Sequence, residues 1–407
     1  MLTPRGRFVL ALGPVLYLVA WAFGSRALYP VAVGLVLVAG LAWLWVYLLR
    51  GPMQLQRATR SGERLEGDDI EVELEVLPLA RIAPWSLVVV ERLARAGSAE
   101  ATLERVGPRL VGRYRLHRLP RGRYAYEDSR AVIEDPFGLA RSEVTLSAGG
   151  SILVYPRIVE LDRLFTESGL ELQGGRRLLL RRPSGFDLHS VREYQQGESL
   201  RRVHWRSTAH RARLMVKELE DEPRDEVAVL LDAAGDATAG TPPDSSFDLQ
   251  VRAAGSILRA HVRRGRRAVL VVAGTTREEQ RVDAGEAEWR RALGLLASVE
   301  PQPSAPPAAL VGDDGAGAAA RALELVVVTA RLAPELVERL GQRSVSGGHV
   351  ALVYVDAPSF ATSGVTRVRE PALLRLQTLG VPVAVLRRGD DLRTVLSGAF
   401  AQEAALG

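Results

Sequence analysis

The chain has 407 residues, which is more than one ordinary hydrophobic core accommodates, so its length favours two or three domains. Hydrophobic residues make up 47% and charged residues 25%, a balance typical of folded proteins, and the lack of cysteine excludes disulfides, thiolate metal sites and thiol nucleophiles. The net charge is +5, but all basic residues except Lys217 are arginine, and such a bias alone makes a chain basic. No specific nucleic-acid partner is therefore predicted.

Two uncharged apolar runs near the N-terminus predict a pair of membrane-spanning helices. They extend from Phe8 to Phe23 and from Leu28 to Leu49, and a helix of about 20 residues crosses the hydrocarbon core of a bilayer. Because only residues 24–27 separate them, the two helices should form a hairpin. We therefore predict a transmembrane helical hairpin over residues 1–52.

Arginines flank the outer ends of this hairpin, and the connector holds only Arg26. The positive-inside rule then predicts both ends in the cytoplasm. The chain would be a multi-pass protein of the cell membrane with two helices in the lipid bilayer and its bulk cytoplasmic. A signal peptide is the alternative for the first run, but a second long span directly after it favours the hairpin. The flanking residues are Arg5, Arg7, Arg50, Arg57 and Arg60.

Residues 53–156 predict a β-rich, sandwich-like domain. Ile70 to Val76 alternates apolar and acidic residues, which is typical of a strand with one buried face, and prolines and glycines punctuate the region. Several short strands with regular turns indicate a small antiparallel sandwich. Asp135 to Leu139 predicts a turn with Phe137 as its apolar plug. The other predicted strands are Ser86 to Val90, Arg109 to Leu116 and Ser151 to Val154.

Residues 157–226 form a segment whose core, from Gly185 to Lys217, holds three histidines, a tryptophan and the only lysine. Arginine and tryptophan are typical anchors of protein interfaces, so we interpret this segment as a partner-binding surface. It contains no Gly-x-Ser-x-Gly, His-Glu-x-x-His or phosphate-loop spacing, and no enzymatic activity is predicted. A hydrolase using His204 or His210 remains an alternative. The candidate partner-binding residues are Arg192, Glu193, Tyr194, Gly197, Arg201, Trp205 and Lys217.

Residues 227–407 alternate continuous apolar strands with amphipathic helices, which predicts an α/β domain with a mainly parallel sheet covered on both faces. A low-complexity linker, Pro301 to Ala319, interrupts the alternation. The predicted strands are Val227 to Leu231, Ala268 to Val272, Leu325 to Val328, Val350 to Val355 and Val381 to Leu386. The predicted helices are Phe247 to Val262, Ala287 to Ala297, Pro334 to Leu340, Ala372 to Leu379 and Asp391 to Phe400.

The 185–217 segment resembles the signature of the bacterial family called domain of unknown function 58. The turn at Asp135 to Leu139, the Tyr155-Pro156 pair and the hairpin also fit that family's pattern. The sequence departs from it at Asp187-Leu188, at Glu198 and at Thr208-Ala-His210. The matching positions are Gly185, Arg192, Glu193, Tyr194, Gly197, Arg201, Trp205, Leu214, Val216 and Lys217.

The C-terminal domain looks like a von Willebrand factor type A domain, as the resemblance also implies. Such domains often bind a divalent cation through Asp-x-Ser-x-Ser after the first strand. The corresponding loop here is Asp232-Ala-Ala-Gly-Asp236, in which only the first aspartate matches. Thr329 ends a later strand, and Ala330 follows it in place of a carboxylate. Magnesium requires oxygen ligands in near-octahedral order. No metal cofactor is favoured, although Asp232 and Asp236 remain candidate ligands.

The resemblance further implies a MoxR-type AAA+ ATPase as partner. The expected function is that of a membrane-anchored cytosolic scaffold or adaptor in protein assembly or cell-envelope processes. The alternatives are a metal-dependent ligand-binding or adhesion-type module that uses the Asp232 loop, and a hydrolase.

Overall fold

The computed structural model describes residues 1–59, 64–80, 82–147, 149–167, 188–193, 205–211, 213–219, 227–283, 285–303, 307–311, 317–361 and 370–398. The chain divides into two compact units. The first, here the N-terminal unit, contains Met1–Arg157 together with Leu293–Val299. The second, the C-terminal unit, contains Ile158–Ala292 and Glu300–Gly407.

The N-terminal unit begins with the predicted pair of apolar helices, α1 (Pro4–Phe23) and α2 (Leu28–Leu49). Both are long and apolar enough to cross a membrane. The side chain of Thr3 caps α1, and Gly24 ends it in the left-handed conformation, which glycine adopts without a Cβ penalty.

The two helices pack through small residues that recur every seven positions. A Cβ at Gly13 would lie 2.5 Å from Cγ2 of Val36 and 3.0 Å from the carbonyl oxygen of Ala32, so only glycine permits this close backbone approach. Small residues at such contacts are typical of helix pairs in membranes. The buried positions in this register are Gly6, Gly13 and Ala20 in α1 and Ala32, Ala39 and Val46 in α2.

The rest of the N-terminal unit is a curled antiparallel sheet of eight strands, in which β1-β2-β5-β4-β3-β6-β7 are neighbours and β8 also pairs with β6. The predicted alternation holds in β2, where Val72, Leu74 and Val76 are fully buried. The strands form one hydrogen-bonded sheet in place of two facing sheets. Its strands are β1 (Met53–Thr59), β2 (Ile70–Pro78), β3 (Ser86–Leu93), β4 (Gly97–Val106), β5 (Arg109–Leu116), β6 (Gly122–Glu134), β7 (Arg141–Thr145) and β8 (Ser151–Val154).

A buried polar cluster ties distant strands of this sheet together. Glu91 is fully buried and accepts hydrogen bonds from Nε of Arg57 at 2.7 Å, from the Tyr114 hydroxyl at 2.7 Å and from Ser129 at 3.0 Å. The Arg57 guanidinium also lies over the Tyr126 ring, 3.8 Å from its centroid. Arg57, one of the arginines that follow the second apolar run, is therefore part of the sheet core.

The turn between β6 and β7 holds the beginning of α1. Leu2 pairs with Ala140, and the hydroxyl of Thr3 donates to the carbonyl oxygen of Gly138 at 2.7 Å. The Asp135 carboxylate is buried and accepts the backbone N–H of Phe137 at 2.9 Å, so the predicted turn is present. Phe137, however, is 73% exposed and does not plug it. The aspartate, whose side chain replaces missing backbone partners, fixes the turn instead.

Along the chain, the 157–226 segment follows the curled sheet, and its described part contains a strand pair and a short helix. β9 (Leu188–Glu193) pairs antiparallel with β10 (Met215–Leu219). Helix α3 (Trp205–Arg211) precedes β10, and the Thr208 hydroxyl accepts the backbone N–H of Met215 at 3.0 Å.

The C-terminal unit contains a six-stranded mixed sheet with the order β13-β12-β11-β14-β15-β16, in which only the β12–β13 pairing is antiparallel. Every residue of β11 is buried, as expected for a central strand covered on both faces. The strands are β11 (Val227–Asp232), β12 (Ala268–Ala273), β13 (Arg277–Val282), β14 (Glu324–Thr329), β15 (His349–Val355) and β16 (Val383–Leu386). The helices of this part of the chain are α4 (Ser246–Arg263), α5 (Glu286–Ser298), α6 (Ala308–Val311), α7 (Ala318–Arg321), α8 (Pro334–Val345), α9 (Pro371–Thr378) and α10 (Leu392–Leu396). The end of α5, from Leu293, belongs to the N-terminal unit.

Two parts of this unit differ from the sequence prediction. Strand β13 was not predicted, because its sequence REEQRV lacks apolar alternation, and charged residues are tolerated there since it is an edge strand. The predicted linker 301–319 contributes α6 and the start of α7, and Val311, Ala318 and Ala319 pack in the hydrophobic core. Its alanine-rich composition is typical of a low-complexity linker, but several of its small side chains are buried in the core.

Candidate functional site

The carboxyl ends of β11 and β14 lie side by side at the centre of the mixed sheet. β11 pairs with β12 on one side and with β14 on the other, so the strand order reverses at this point. Ligands of open α/β sheets bind outside the carboxyl ends of strands at such a reversal. Asp232 and Thr329 end these two strands, so their side chains and those of the following loops form the candidate site.

Asp232 ends β11 and is 2% exposed. Its Oδ2 accepts a hydrogen bond from the Thr329 hydroxyl at 2.7 Å, and its Oδ1 accepts the backbone N–H of Ala234 at 3.2 Å. Burial raises the pKa of this carboxyl, and the bond from Thr329 and the nearby charge of Arg331 oppose the rise. Both oxygens of the Asp232 carboxylate thus accept hydrogen bonds from groups of the protein itself.

Arg331 occupies the space between the two aspartates of the loop. Its Nη1 donates to Oδ2 of Asp236 at 3.0 Å, and its Nη2 lies 3.9 Å from Oδ1 of Asp232. The backbone N–H of Arg331 donates to the Thr329 hydroxyl at 2.9 Å, which places the side chain over the loop. We refer to Asp232, Asp236, Thr329 and Arg331 as the aspartate–arginine cluster.

This cluster does not fit a divalent cation. Among the residues that the structure describes, no group of three or more His, Asp or Glu side chains could hold a metal ion. Neither hydroxyl of the Asp-x-Ser-x-Ser pattern is present in the loop, and the Arg331 guanidinium already pairs with Asp236 and lies 3.9 Å from Asp232. Octahedral coordination by oxygen would require displacing Arg331.

The backbone of Gln302 lies along the same loop. Its N–H donates to the carbonyl oxygen of Ala233 at 3.0 Å, and its carbonyl oxygen accepts the N–H of Gly235 at 3.0 Å. A Cβ at Gly274 would lie 2.2 Å from Nε2 of Gln302, so a larger residue there would displace the end of the Gln302 side chain. These contacts give the Asp232 loop a fixed backbone path.

The candidate partner-binding residues lie in a different part of the C-terminal unit. Arg192 pairs in register with Val216, and Lys217 pairs with Val191. Because successive residues of a strand lie on opposite faces, the register places these two candidates on opposite faces of the strand pair. Trp205 begins α3 and is 68% exposed, as a binding surface requires. Glu193 lies at the end of β9. Tyr194, Gly197 and Arg201 lie outside the described residues, as does His204, and His210 is exposed on α3.

Arg331 is the residue that sequence reasoning missed. The sequence identified Asp232, Asp236 and the strand end at Thr329, but it did not show that an arginine two residues later reaches back to both aspartates. Arg331, directly after the Ala330 that stands in place of a carboxylate, was the available signal, since an arginine can pair with a carboxylate at the adjoining strand end.

The chain is similar to proteins whose functions are not described by their names. "Uncharacterized protein YeaD" of Bacillus subtilis (strain 168) is 23% identical over 390 residues, which cover 92% of each chain. The solved structure of proximal thread matrix protein 1 from the mussel byssus is 11% identical, with a TM-score of 0.29, and the match covers 43% of this chain and 46% of that chain. Cwp6 from Clostridium difficile is 8% identical with a TM-score of 0.21, over 87% of this chain and 48% of that chain. These structural likenesses are too distant to inform the fold.

One family model matches the part of the chain that carries the signature segment and most of the mixed sheet. The match covers residues 190–370, from within β9 to the residue before α9. The family is described as "Protein of unknown function DUF58", and this chain is similar to it over that range.

Proposed function

We propose that the chain is a membrane-anchored cytosolic scaffold or adaptor without enzymatic activity, which works with a MoxR-type AAA+ ATPase in protein assembly or cell-envelope processes. In this proposal it is a member of the DUF58 family, and its C-terminal unit has a von Willebrand factor A-like fold. The match at residues 190–370 supports the family assignment. The central parallel strands with one antiparallel edge strand support the fold assignment.

The observation that carries the proposal is the way the apolar helices are built into the curled sheet. The first residues pair with the β6–β7 turn, and the end of α2 shares a hydrophobic cluster with that turn. That cluster includes Ala42, Val46 and Leu49 of α2 with Ile133, Leu139 and Ala140. A sheet attached in this way is held at the bilayer when the helices span it, which suits a scaffold that presents a binding surface at the membrane.

Trp205 and its neighbours supply the proposed contact surface for the ATPase. An exposed tryptophan is uncommon on a surface that stays in water, and tryptophan and arginine contribute much of the binding energy in interfaces. Arg192, in β9, would contribute positive charge for an acidic patch on the partner, and Lys217, in β10, would contribute it on the other face of the strand pair.

The test is affinity purification of the full-length protein in mild detergent, with and without ATP, followed by mass spectrometry. We expect an AAA+ ATPase to co-purify with the wild type and to be lost at least tenfold in Trp205→Ala and Arg192→Ala, since hot-spot truncation costs about 2 kcal/mol or more. Val345→Ala and Arg290→Ala are the controls, because both side chains are exposed elsewhere.

Recovery of the ATPase that is equal in the Trp205 and Val345 variants would contradict the proposed surface. Failure to recover an ATPase with the wild type in either nucleotide condition would contradict the partnership. Circular dichroism of each variant establishes that a lost interaction does not result from unfolding.

The two alternative functions gain no support from the site. A metal-dependent module needs Asp232 and Asp236 as ligands, but Arg331 already pairs with Asp236 and lies beside Asp232. A hydrolase needs an oriented base beside a nucleophile, and His210 is exposed on α3 with no such pair in the described residues.

A further inference from the structure

Three turns of the curled sheet lie at the end from which the apolar helices emerge. β1 begins four residues after α2 ends, and its first residue, Met53, pairs with Pro78 at the end of β2. The antiparallel order of the sheet then places the β2–β3, β4–β5 and β6–β7 connections at this same end. Two contacts agree with this placement: Leu79 donates its backbone N–H to Pro52, and Leu2 pairs with Ala140.

Exposed apolar side chains of the sheet concentrate at this end. We call the five residues Leu79, Ile82, Trp85, Val106 and Phe137 the apolar rim. Their exposed fractions are 54%, 49%, 76%, 64% and 73%, in that order. At the opposite end, the described residues of the turns at 94–96, 117–121 and 146–150 include no exposed large hydrophobic side chain. An apolar patch this asymmetric indicates a surface that is covered in the working protein.

The projection of Phe137 is fixed by the turn that carries it. The Asp135 carboxylate holds the backbone N–H of Phe137 at 2.9 Å, and Thr3 holds the carbonyl oxygen of Gly138 at 2.7 Å. Because the N–H of Phe137 and the carbonyl group of Gly138 are both hydrogen-bonded, the backbone on each side of the ring is fixed. The 73% exposure of Phe137 is therefore a property of the ordered turn.

Arginine side chains lie over aromatic rings at this end of the sheet. The Arg105 guanidinium lies 5.7 Å from the Trp85 ring centroid, and that of Arg50 lies 4.2 Å from the Tyr47 ring centroid. Arg5 and Arg7 are exposed on the first turn of α1. Aromatic rings favour the headgroup layer of a bilayer, and arginines near an anionic leaflet each contribute about 1 kcal/mol. This combination matches a lipid surface better than a soluble protein.

We propose that the apolar rim lies in the headgroup layer of the bilayer that α1 and α2 span. The proposal rests on the membrane anchoring set out under the proposed function. The helical hairpin sets the distance of the sheet from the bilayer. The rim adds membrane contacts on three connections of the sheet: β2–β3, β4–β5 and β6–β7. The sheet would thus be held in one orientation at the membrane.

Depth-dependent fluorescence quenching tests this proposal on the full chain. Because the protein has no cysteine, single substitutions can be labelled uniquely. Val106→Cys and Phe137→Cys report on the rim, Ser98→Cys on the opposite end of the sheet, and Leu37→Cys on the middle of α2. Each variant carries a bimane label and is reconstituted into phosphatidylcholine–phosphatidylglycerol vesicles with a doxyl quencher placed either near the headgroup or deep in the acyl chain.

We expect both rim labels to be quenched at least threefold more strongly by the shallow quencher than the Ser98→Cys label, and the Leu37→Cys label to be quenched by the deep one. Strong quenching at residue 37 with rim quenching equal to that at residue 98 would overturn the rim proposal while retaining the membrane anchor. No quenching at residue 37 would overturn both. A rim label that is protected from aqueous iodide but not quenched by lipid would indicate a protein partner instead and would also overturn the proposal.

Discussion

His261 is the most strongly perturbed histidine that the structure describes, and its surroundings predict a specific acid sensitivity. It is 1% exposed in α4, and Nη1 of Arg266 lies 3.0 Å from its Nδ1. Burial is the main cause that lowers the pKa of His261 to about 4; Arg266 and Arg264 contribute to this shift, and Glu324 opposes it. The ring is therefore neutral in the folded protein at neutral pH.

Since the unfolded chain binds a proton on this histidine at about pH 6.5, the stabilisation is complete above that pH and is lost as pH falls towards 4. Between pH 7 and pH 5, the free energy of unfolding should decrease by about 2 kcal/mol from this residue alone. His261→Gln should remove most of that decrease, as measured by chemical denaturation at the two pH values. His349→Gln, at an exposed position, is the control. An unchanged pH dependence in the His261 variant would contradict this account.

Two residues, Arg331 and Phe137, show which contacts could not be predicted from the sequence. The Asp232 loop and the strand end at Thr329 were both identified, yet the cluster they form depends on Arg331, which pairs with Asp236 across 95 positions. Phe137 shows the opposite error: its apolar side chain predicts burial, but the turn is fixed by Asp135 and projects the ring outwards. Burial of one residue in a turn depends on what covers the turn, which local sequence does not contain.

At the scale of elements, the junction between α1 and the β6–β7 turn is the most constrained contact. A Cβ at Gly6 would lie 2.0 Å from the carbonyl oxygen of Leu139, a distance that only backbone movement could relieve. Gly34 in α2 has no atom within 4 Å of such a Cβ. The two glycines therefore form a matched pair, since alanine favours a helix over glycine by about 1 kcal/mol at an open position.

We expect Gly6→Ala to lower the thermal midpoint of the detergent-solubilised protein by several degrees, because the helix start must move away from the turn. Gly34→Ala should leave the midpoint unchanged or raise it slightly. Circular dichroism during heating measures both. Equal midpoints for the two variants would show that the junction is not rigid.

Elements with a strong hydrophobic pattern could be predicted from sequence, and those without one could not. The apolar helices and the central strands β11, β12, β14 and β15 were identified because their composition matches full burial. β13 was missed because an edge strand tolerates charge, and α6 and α7 were missed because alanine and proline residues read as a linker. In both cases a neighbouring element, and not the local sequence, determines the structure.

At the scale of the whole molecule, the proposed orientation predicts which segments face each side of the membrane. The connector between α1 and α2 should face the outside, and the curled sheet should face the cytoplasm. Ala27→Cys, in the connector, should react with a membrane-impermeant maleimide in intact bacterial cells. Ser98→Cys, in β4, should react only after permeabilisation. The cysteine-free wild type gives the background, and the reverse pattern would contradict the cytosolic placement.

The junction between α1 and the β6–β7 turn has a consequence for biosynthesis. Thr3 binds a carbonyl group that lies 135 residues later in the chain. At roughly 5 to 20 residues per second, on the order of 10 s passes between synthesis of α2 and synthesis of that turn. During this interval the helix pair must persist through its own small-residue contacts, such as that between Gly13 and Val36. Insertion and docking are therefore separate events, and a ribosome stalled before β7 should leave an inserted hairpin whose first turn has no partner in the sheet.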